Sequence, residues 1–203
     1  SQMIDKLAQN LNIINQEISS LEELKGYDKI ILSTPAYEAS KIVSSKYPTL
    51  ANYLNKIEYT PIAIVGFSGD IEPVSFGILT TNLRTLGILM DKYIFPNRGG
   101  IRAMVGGQRY KDILNMTKEE IINSTLKDIE KIVGKNNLKV EFFKLHEKGI
   151  PNYNVGHLQN VKNILQEAKK HNIYLNSNAY KGVSFNDCVK NSKELAISLV
   201  YEN

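Results

Sequence analysis

The chain has 203 residues, 42% hydrophobic and 23% charged, with a formal net charge of +4. That balance supplies a core and argues against intrinsic disorder. Lys and Arg are spread along the chain, so no nucleic-acid surface is expected, and no apolar run approaches the roughly 20 residues of a membrane-spanning helix. The opening Ser1–Lys6 has no basic stretch followed by an apolar one, so no secretory signal is expected. The single cysteine, Cys188, excludes an internal disulfide and disfavours a structural zinc site.

In chain order, Ile4, Leu7, Ala8 and Leu11 stand at helical spacing, which predicts the end of a helix over 3–10. A short strand is expected near Ile13–Ile18 and another at Lys29–Ser33, where Thr34–Pro35 ends it because proline offers no ladder donor. Ala36–Ser45 reads as a helix. Pro61–Phe67, Ser75–Thr80, Leu86–Lys92 and Ile101–Gly107 then read as four strands with short connections, which favours an antiparallel sheet.

Thr117–Lys118–Glu119–Glu120 is a capping-box pattern. The helix it opens has Ile122, Leu126, Ile129 and Val133 on one apolar face and ends at Gly134. Leu138–His146 reads as a strand. Val155–His171 reads as a helix with Leu158, Val161, Leu165 and Ala168 inward, and Asp187–Val200 as a last helix. The pattern describes an antiparallel-rich middle, about 47–135, flanked by two α/β pieces.

Few residues announce chemistry by themselves. No His, Cys, Asp or Glu set has metal-ligand spacing. Cys188 lacks an identifiable base and reads as a structural thiol. His146 and His157 are the groups that titrate nearest neutrality, and His157 reads first as a capping or core histidine. Ser68–Gly69–Asp70 reads as a loop, and Ser177 lacks a nucleophile-elbow context. The turn at Gly182 ahead of a helix is the exception: glycine lets backbone approach a ligand, and helix N-terminal amides favour an electron-rich group. Taken alone, it is a weak signal.

An ordered series of motifs strengthens it. These are Ser33–Thr34–Pro35–Ala36; Phe76–Gly77–Ile78–Leu79; Thr85–Leu86–Gly87–Ile88–Leu89; Phe95–Pro96–Asn97–Arg98; Val105–Gly106–Gly107; Ile150–Pro151 with Tyr153 and Gly156–His157; and Tyr180, Gly182, Val183, Asp187 and Cys188. Together they resemble the C-terminal portion of the oxygen-dependent protoporphyrinogen oxidases of the flavin-containing amine oxidase superfamily, over nearly all 203 residues.

The resemblance implies an α/β fold with an inserted antiparallel sheet (α+β). It is the C-terminal part of a two-domain FAD-linked oxidase fold, and the N-terminal G-x-G-x-x-G unit is absent. Residues 1–46 and 147–203 would belong to the FAD-binding domain and 47–146 to the substrate-binding domain. Ile18, Asn178, Gly182 and Val183 are the implied cofactor-binding residues. Leu79, Leu89 and Met104 are the implied substrate walls, although apolar strand residues are usually core. One of Arg84, Arg98, Arg102 and Arg109 could pair with a porphyrin propionate, because guanidinium and carboxylate match as a fork; the plainer reading is four solvent-facing arginines.

The implied activity is dehydrogenation of protoporphyrinogen IX in haem biosynthesis, with FAD as cofactor and molecular oxygen as acceptor. Coproporphyrinogen III oxidation on the same fold is the alternative, and a truncated piece that binds no flavin is another. No residue is assigned as catalytic, since the flavin carries the chemistry. The implied location is the cytoplasm, with a peripheral membrane position an option for the full-length enzyme. Apolar surface left uncovered would favour self-association.

Overall fold

The computed structural model describes residues 2–69, 71–97, 99–134 and 136–201. After α1 (Gln2–Ala8) and an extended stretch come β1 (Ile30–Leu32), α2 (Ala36–Ser44) and α3 (Pro48–Asn55). The middle holds β2 (Tyr59–Ser68), β3 (Gly77–Leu79), β4 (Thr85–Leu89), β5 (Ile101–Gly106), α4 (Lys118–Val133) and β6 (Lys139–Pro151). The chain closes with α5 (His157–Lys169), β7 (Ile173–Leu175) and α6 (Phe185–Tyr201). Three short 3-10 segments fill connections, and Ser20 and Glu23 form a capping box on the first of them, Leu21–Leu24.

Two sheets organise the molecule. β1 and β7 pair in parallel, Ile30 opposite Ile173 and Leu32 opposite Leu175. The second sheet has the order β3-β4-β5-β2-β6 and every pairing in it is antiparallel, as the short connections predict. Each sheet has its own core. Leu32, Val43, Leu50, Leu54, Ile164 and Tyr180 belong to the first, and Val65, Phe67, Ile88, Ile101, Ile121 and Ile129 to the second.

The helix opened by Thr117 forms as its capping box dictates: the Glu120 amide donates to the Thr117 hydroxyl at 3.2 Å, and the Glu120 carboxylate accepts the Thr117 amide at 2.7 Å. Its buried face is rotated from the expected one. Ile121, Thr125, Asp128 and Ile129 are buried, while Ile122, Leu126 and Val133 are half-buried. Two adjacent stripes compete, and the one with polar members wins because those members find partners. The Thr125 hydroxyl donates to the Ile121 carbonyl at 2.7 Å, and Asp128 accepts the Thr85 amide at 3.2 Å.

Other expectations are corrected in the same way. No strand forms at Ile13–Ile18; Ile13 and Ile14 are exposed and no neighbouring strand pairs with them. The first helix ends at Ala8, and its apolar residues Met3, Ile4 and Leu7 face solvent. α3 is an addition: Leu50, Ala51 and Leu54 bury it in the first core, so residues 48–57 pack with the parallel pair rather than with the large sheet. β6 runs on past His146 to Pro151, with an irregularity opposite the Thr60–Ile62 step. In α5 Val161 and Ala168 are buried as expected and Ile164 joins them, while Leu165 is half-buried and Leu158 is 78% exposed.

α6 buries none of its side chains. Polar ties hold it instead: Lys29 Nζ donates to the Leu199 carbonyl at 2.6 Å, Asn176 Nδ2 to Ser192 Oγ at 2.7 Å, and Asn191 Nδ2 to the Lys181 carbonyl at 3.1 Å. No helix among the described residues is long and apolar enough to cross a membrane.

Candidate functional site

Parallel strands present their carboxyl ends to ligands, because that is where the chain leaves the sheet and small loops converge. In this molecule those ends are Leu32, followed by Ser33–Thr34–Pro35, and Leu175, followed by Asn176–Ser177–Asn178. The Asn176 amide donates to the Leu32 carbonyl at 3.1 Å and ties the two exits together. The Thr34 hydroxyl is buried there without a partner among the described residues. Ala179 and Tyr180 are buried behind it, and burial pushes the Tyr180 phenol well above the ordinary tyrosine pKa.

Next along the chain, Gly182 takes a φ of +125°, and a Cβ placed on it would lie 2.6 Å from Asp187 Cγ. Only glycine meets both conditions. Asp187 is held there by a reciprocal cap on α6: its amide donates to Ser184 Oγ at 3.0 Å, and its carboxylate accepts the Ser184 hydroxyl at 2.6 Å.

Tyr153 completes the turn. Its hydroxyl donates to the Asn178 carbonyl at 2.7 Å and accepts the Gly182 amide at 2.7 Å. Its ring stacks on His157 with centroids 4.0 Å apart and planes 16° from parallel. His157 is buried, its Nε2 has no partner among the described residues, and burial lowers its pKa despite a bond to the Tyr180 backbone. Burial also raises the Tyr153 phenol, so this group is a protonated donor at neutral pH. A cavity of about 650 Å³ opens beside the turn, walled by Tyr153, Leu158, Leu165, Tyr180 and Gly182.

The structure therefore brings Asn178, Gly182 and Val183 together. The Gly182 amide is already committed to Tyr153, while the flanking Lys181 and Val183 amides have no hydrogen bond among the described residues. Ile18 stands apart: it is half-buried in the extended stretch before Leu21 and belongs to neither core. Cys188, in the first turn of α6, is half-buried, and no group of three or more possible metal ligands exists among the described residues.

Leu79, Leu89 and Met104 lie on one face of the antiparallel sheet. Leu79 is opposite Gly87, Gly87 is opposite Met104, and Leu89 is opposite both Gly77 and Arg102. Directly opposed residues share a face, and so do residues two apart on a strand. The other face carries Ile88, Ala103 and Val65 into the core with Ile121 and Ile129 of α4.

The exposed face is flattened by glycine. A Cβ on Gly87 would lie 3.1 Å from Leu79 Cδ2, and one on Gly77 3.0 Å from Leu89 Cδ2, so each leucine lies over its opposing glycine. Phe142 covers Gly66 likewise, 3.2 Å from the Cβ position there. Leu79 is 85% exposed and Phe142 52%. Sequence reasoning missed Phe142, because Phe142–Phe143 gives no alternation that says which ring faces the core.

Three of the four arginines have internal partners. Arg84 pairs with Asp112 and lies over the Tyr110 ring, Arg109 donates to the Thr81 carbonyl, and Arg102 pairs with Asp91 at 2.6 Å. Of these, Arg102 shares the flat face with Leu89. Arg98 lies outside the described residues.

The chain is similar to protoporphyrinogen oxidase 1, chloroplastic, of Arabidopsis thaliana, at 28% identity over 84% of this chain and 36% of that protein. It is also similar to protoporphyrinogen oxidase of Bos taurus, at 28% identity over 90% of this chain and 42% of that protein. The chain thus spans well under half the length of these relatives. Its fold matches a crystal structure from Exiguobacterium, whose own assignment as a protoporphyrinogen oxidase is provisional, with a TM-score of 0.68 at 22% identity, over 87% of this chain and 42% of that one. Reduced UDP-galactopyranose mutase shares the fold more loosely, with a TM-score of 0.53 at 17% identity, over 73% of this chain and 35% of that one. The model of the flavin containing amine oxidoreductases matches residues 13–196, and the chain belongs to that family.

Proposed function

We propose that this chain forms the substrate shelf and the ring-facing wall of an FAD-dependent oxidase that dehydrogenates protoporphyrinogen IX to protoporphyrin IX. The observation that carries this reading is the similarity to protoporphyrinogen oxidases along 84% and 90% of the chain. In this reading FAD, when bound, takes up the hydrogens removed from the porphyrinogen, and molecular oxygen reoxidises it.

The residues present suit the ring end of such a cofactor. A partnerless buried hydroxyl on Thr34 follows β1, and after β7 the chain makes a turn at Gly182 that admits only glycine, flanked by the unbonded Val183 amide. Asn178 and Gly182 hold that turn through Tyr153. The 203 residues contain no G-x-G-x-x-G unit for the pyrophosphate, so FAD bound to this chain would be held by its ring end. Ile18 would serve the adenine end only once such a unit is in place.

The flat face bearing Leu79, Leu89, Met104 and Phe142 suits one side of a planar tetrapyrrole, with Arg102 able to exchange Asp91 for a propionate. Residues 58–151 would then be the substrate unit, and 21–57 with 152–201 the flavin unit. Exposed apolar residues on α1 and α6, among them Leu7, Ile197 and Val200, would be covered in the complete enzyme and favour self-association of this chain alone.

The test is titration of the purified chain with FAD, followed by the visible flavin band, and then with protoporphyrin, followed by its fluorescence. Perturbation of both spectra is expected. A protein that ignores both molecules would overturn the reading.

A further inference from the structure

We infer that Tyr153 is the positioning residue of the Gly182 turn, and that its hydroxyl decides which backbone amide the turn presents. This rests on the flavin reading and deepens it. The turn is held by hydrogen bonds and not by burial. Lys181, Val183 and Phe185 are exposed, and α6 beyond it buries no side chain. Two contacts from Tyr153 replace that missing burial. By donating to Asn178 and accepting from Gly182, one oxygen closes the loop between residues 178 and 182 at both ends.

The oxygen is itself fixed from behind. The phenol ring lies flat on His157, whose burial in the first turn of α5 leaves it no room to retreat. The backbone beside Tyr153 is pinned as well, since the Asn152 amide donates to the Glu58 carbonyl at 2.8 Å. Glu58 immediately precedes β2, the strand that pairs with both β5 and β6 in the antiparallel sheet. Tyr153 is therefore where the sheet's frame reaches the glycine turn.

The consequence is chemical. The Gly182 amide is spent internally, and the flanking Lys181 and Val183 amides are left as the free donors of the turn. Phenylalanine at position 153 keeps the ring and the stack and removes only the oxygen. The Gly182 amide is then released and the turn loses its set orientation.

Amide exchange followed by NMR tests the latch without any cofactor. In the wild-type chain the Gly182 amide is protected and shows a nuclear Overhauser contact to the Tyr153 ring. In Tyr153→Phe it exchanges on the order of tenfold faster, as loss of one hydrogen bond requires, while Ile164 in the first core stays protected. Unchanged exchange, or no ring contact in the wild type, overturns the latch. The wild-type ring contact decides the matter should the variant fail to fold.

FAD titration of both proteins then tests what the latch positions. Binding weaker by about tenfold, with the flavin band displaced from its wild-type position, is expected in the variant. Faster exchange with identical FAD affinity and band reduces Tyr153 to a purely structural role and overturns the positioning claim. If neither protein binds FAD, the flavin reading fails and the positioning claim falls with it; only the bare latch, decided by exchange, remains.

Discussion

The carboxylate of Asp128 on α4 accepts the backbone amide of Thr85 on β4 at 3.2 Å, 43 residues away in sequence. Asp128 is 6% exposed, Thr85 is fully buried, and Lys131 approaches the same carboxylate at 3.5 Å. This bond fixes the rotation of α4, and with it which face of the sheet remains bare. Asp128→Ala leaves the Thr85 amide buried and unsatisfied, so it is expected to cost about 1–3 kcal/mol in urea unfolding. Asp128→Asn keeps an acceptor and should cost less. Equal losses in the two variants would argue that the bond contributes nothing.

Gly182→Ala meets two penalties at once, a positive φ and a Cβ 2.6 Å from Asp187. Strain of roughly 1–3 kcal/mol is expected. Because α6 buries no side chains, the strain should be relieved by local opening rather than global unfolding. Hydrogen exchange should show faster exchange at residues 182–188 and unchanged protection of the first core.

Burial lowers the pKa of His157 below its ordinary value. The unfolded chain then binds the proton more readily than the folded one. Stability from this group is complete above the unfolded pKa and falls as pH drops through the window between the two values. Melting temperature should decline as pH falls below about 6.5, and His157→Asn should flatten part of that decline. Carboxylates with lowered pKa values, Glu120 and Glu167 among them, lose their contributions at lower pH and separate from this effect.

Leu79 is mostly exposed on β3, so Leu79→Asp should change unfolding stability by no more than about 0.5 kcal/mol. It places a charge where the proposed tetrapyrrole would lie. Loss of protoporphyrin binding with stability retained is expected from fluorescence titration. Binding that survives the change would move the substrate off this face.

The Tyr59 hydroxyl accepts the Ala36 amide at 2.8 Å, and its ring meets the edge of Tyr37 at 5.0 Å. This contact links the start of α2 in the first core to the first strand of the second sheet. Tyr59→Phe should cost about 1 kcal/mol and show in calorimetry as weakened coupling between the two units.

Local features were legible in the sequence. Thr117 with Glu120 set the start of α4 and Gly134 its end, because caps are satisfied within a few residues. The four strands from Pro61 to Gly107 could be read as extended, and their short connections required antiparallel pairing. The glycine at 182 announced a special turn because its requirement is carried by its own backbone.

Everything that depended on a distant partner waited for the tertiary structure. Ile13–Ile18 has strand composition and no strand beside it. Ile121 and Ile122 are equivalent by periodicity, and only Thr85, reached through Asp128, selects between them. Leu79, Leu89 and Met104 carry no mark in the sequence that they share a face; the register across Gly77 and Gly87 puts them there. The turn shows the division most sharply. Its glycine could be read directly, whereas the amide it presents was decided by a tyrosine 29 residues upstream, since a hydrogen bond is chosen by proximity in space and sequence pattern records only neighbours along the chain.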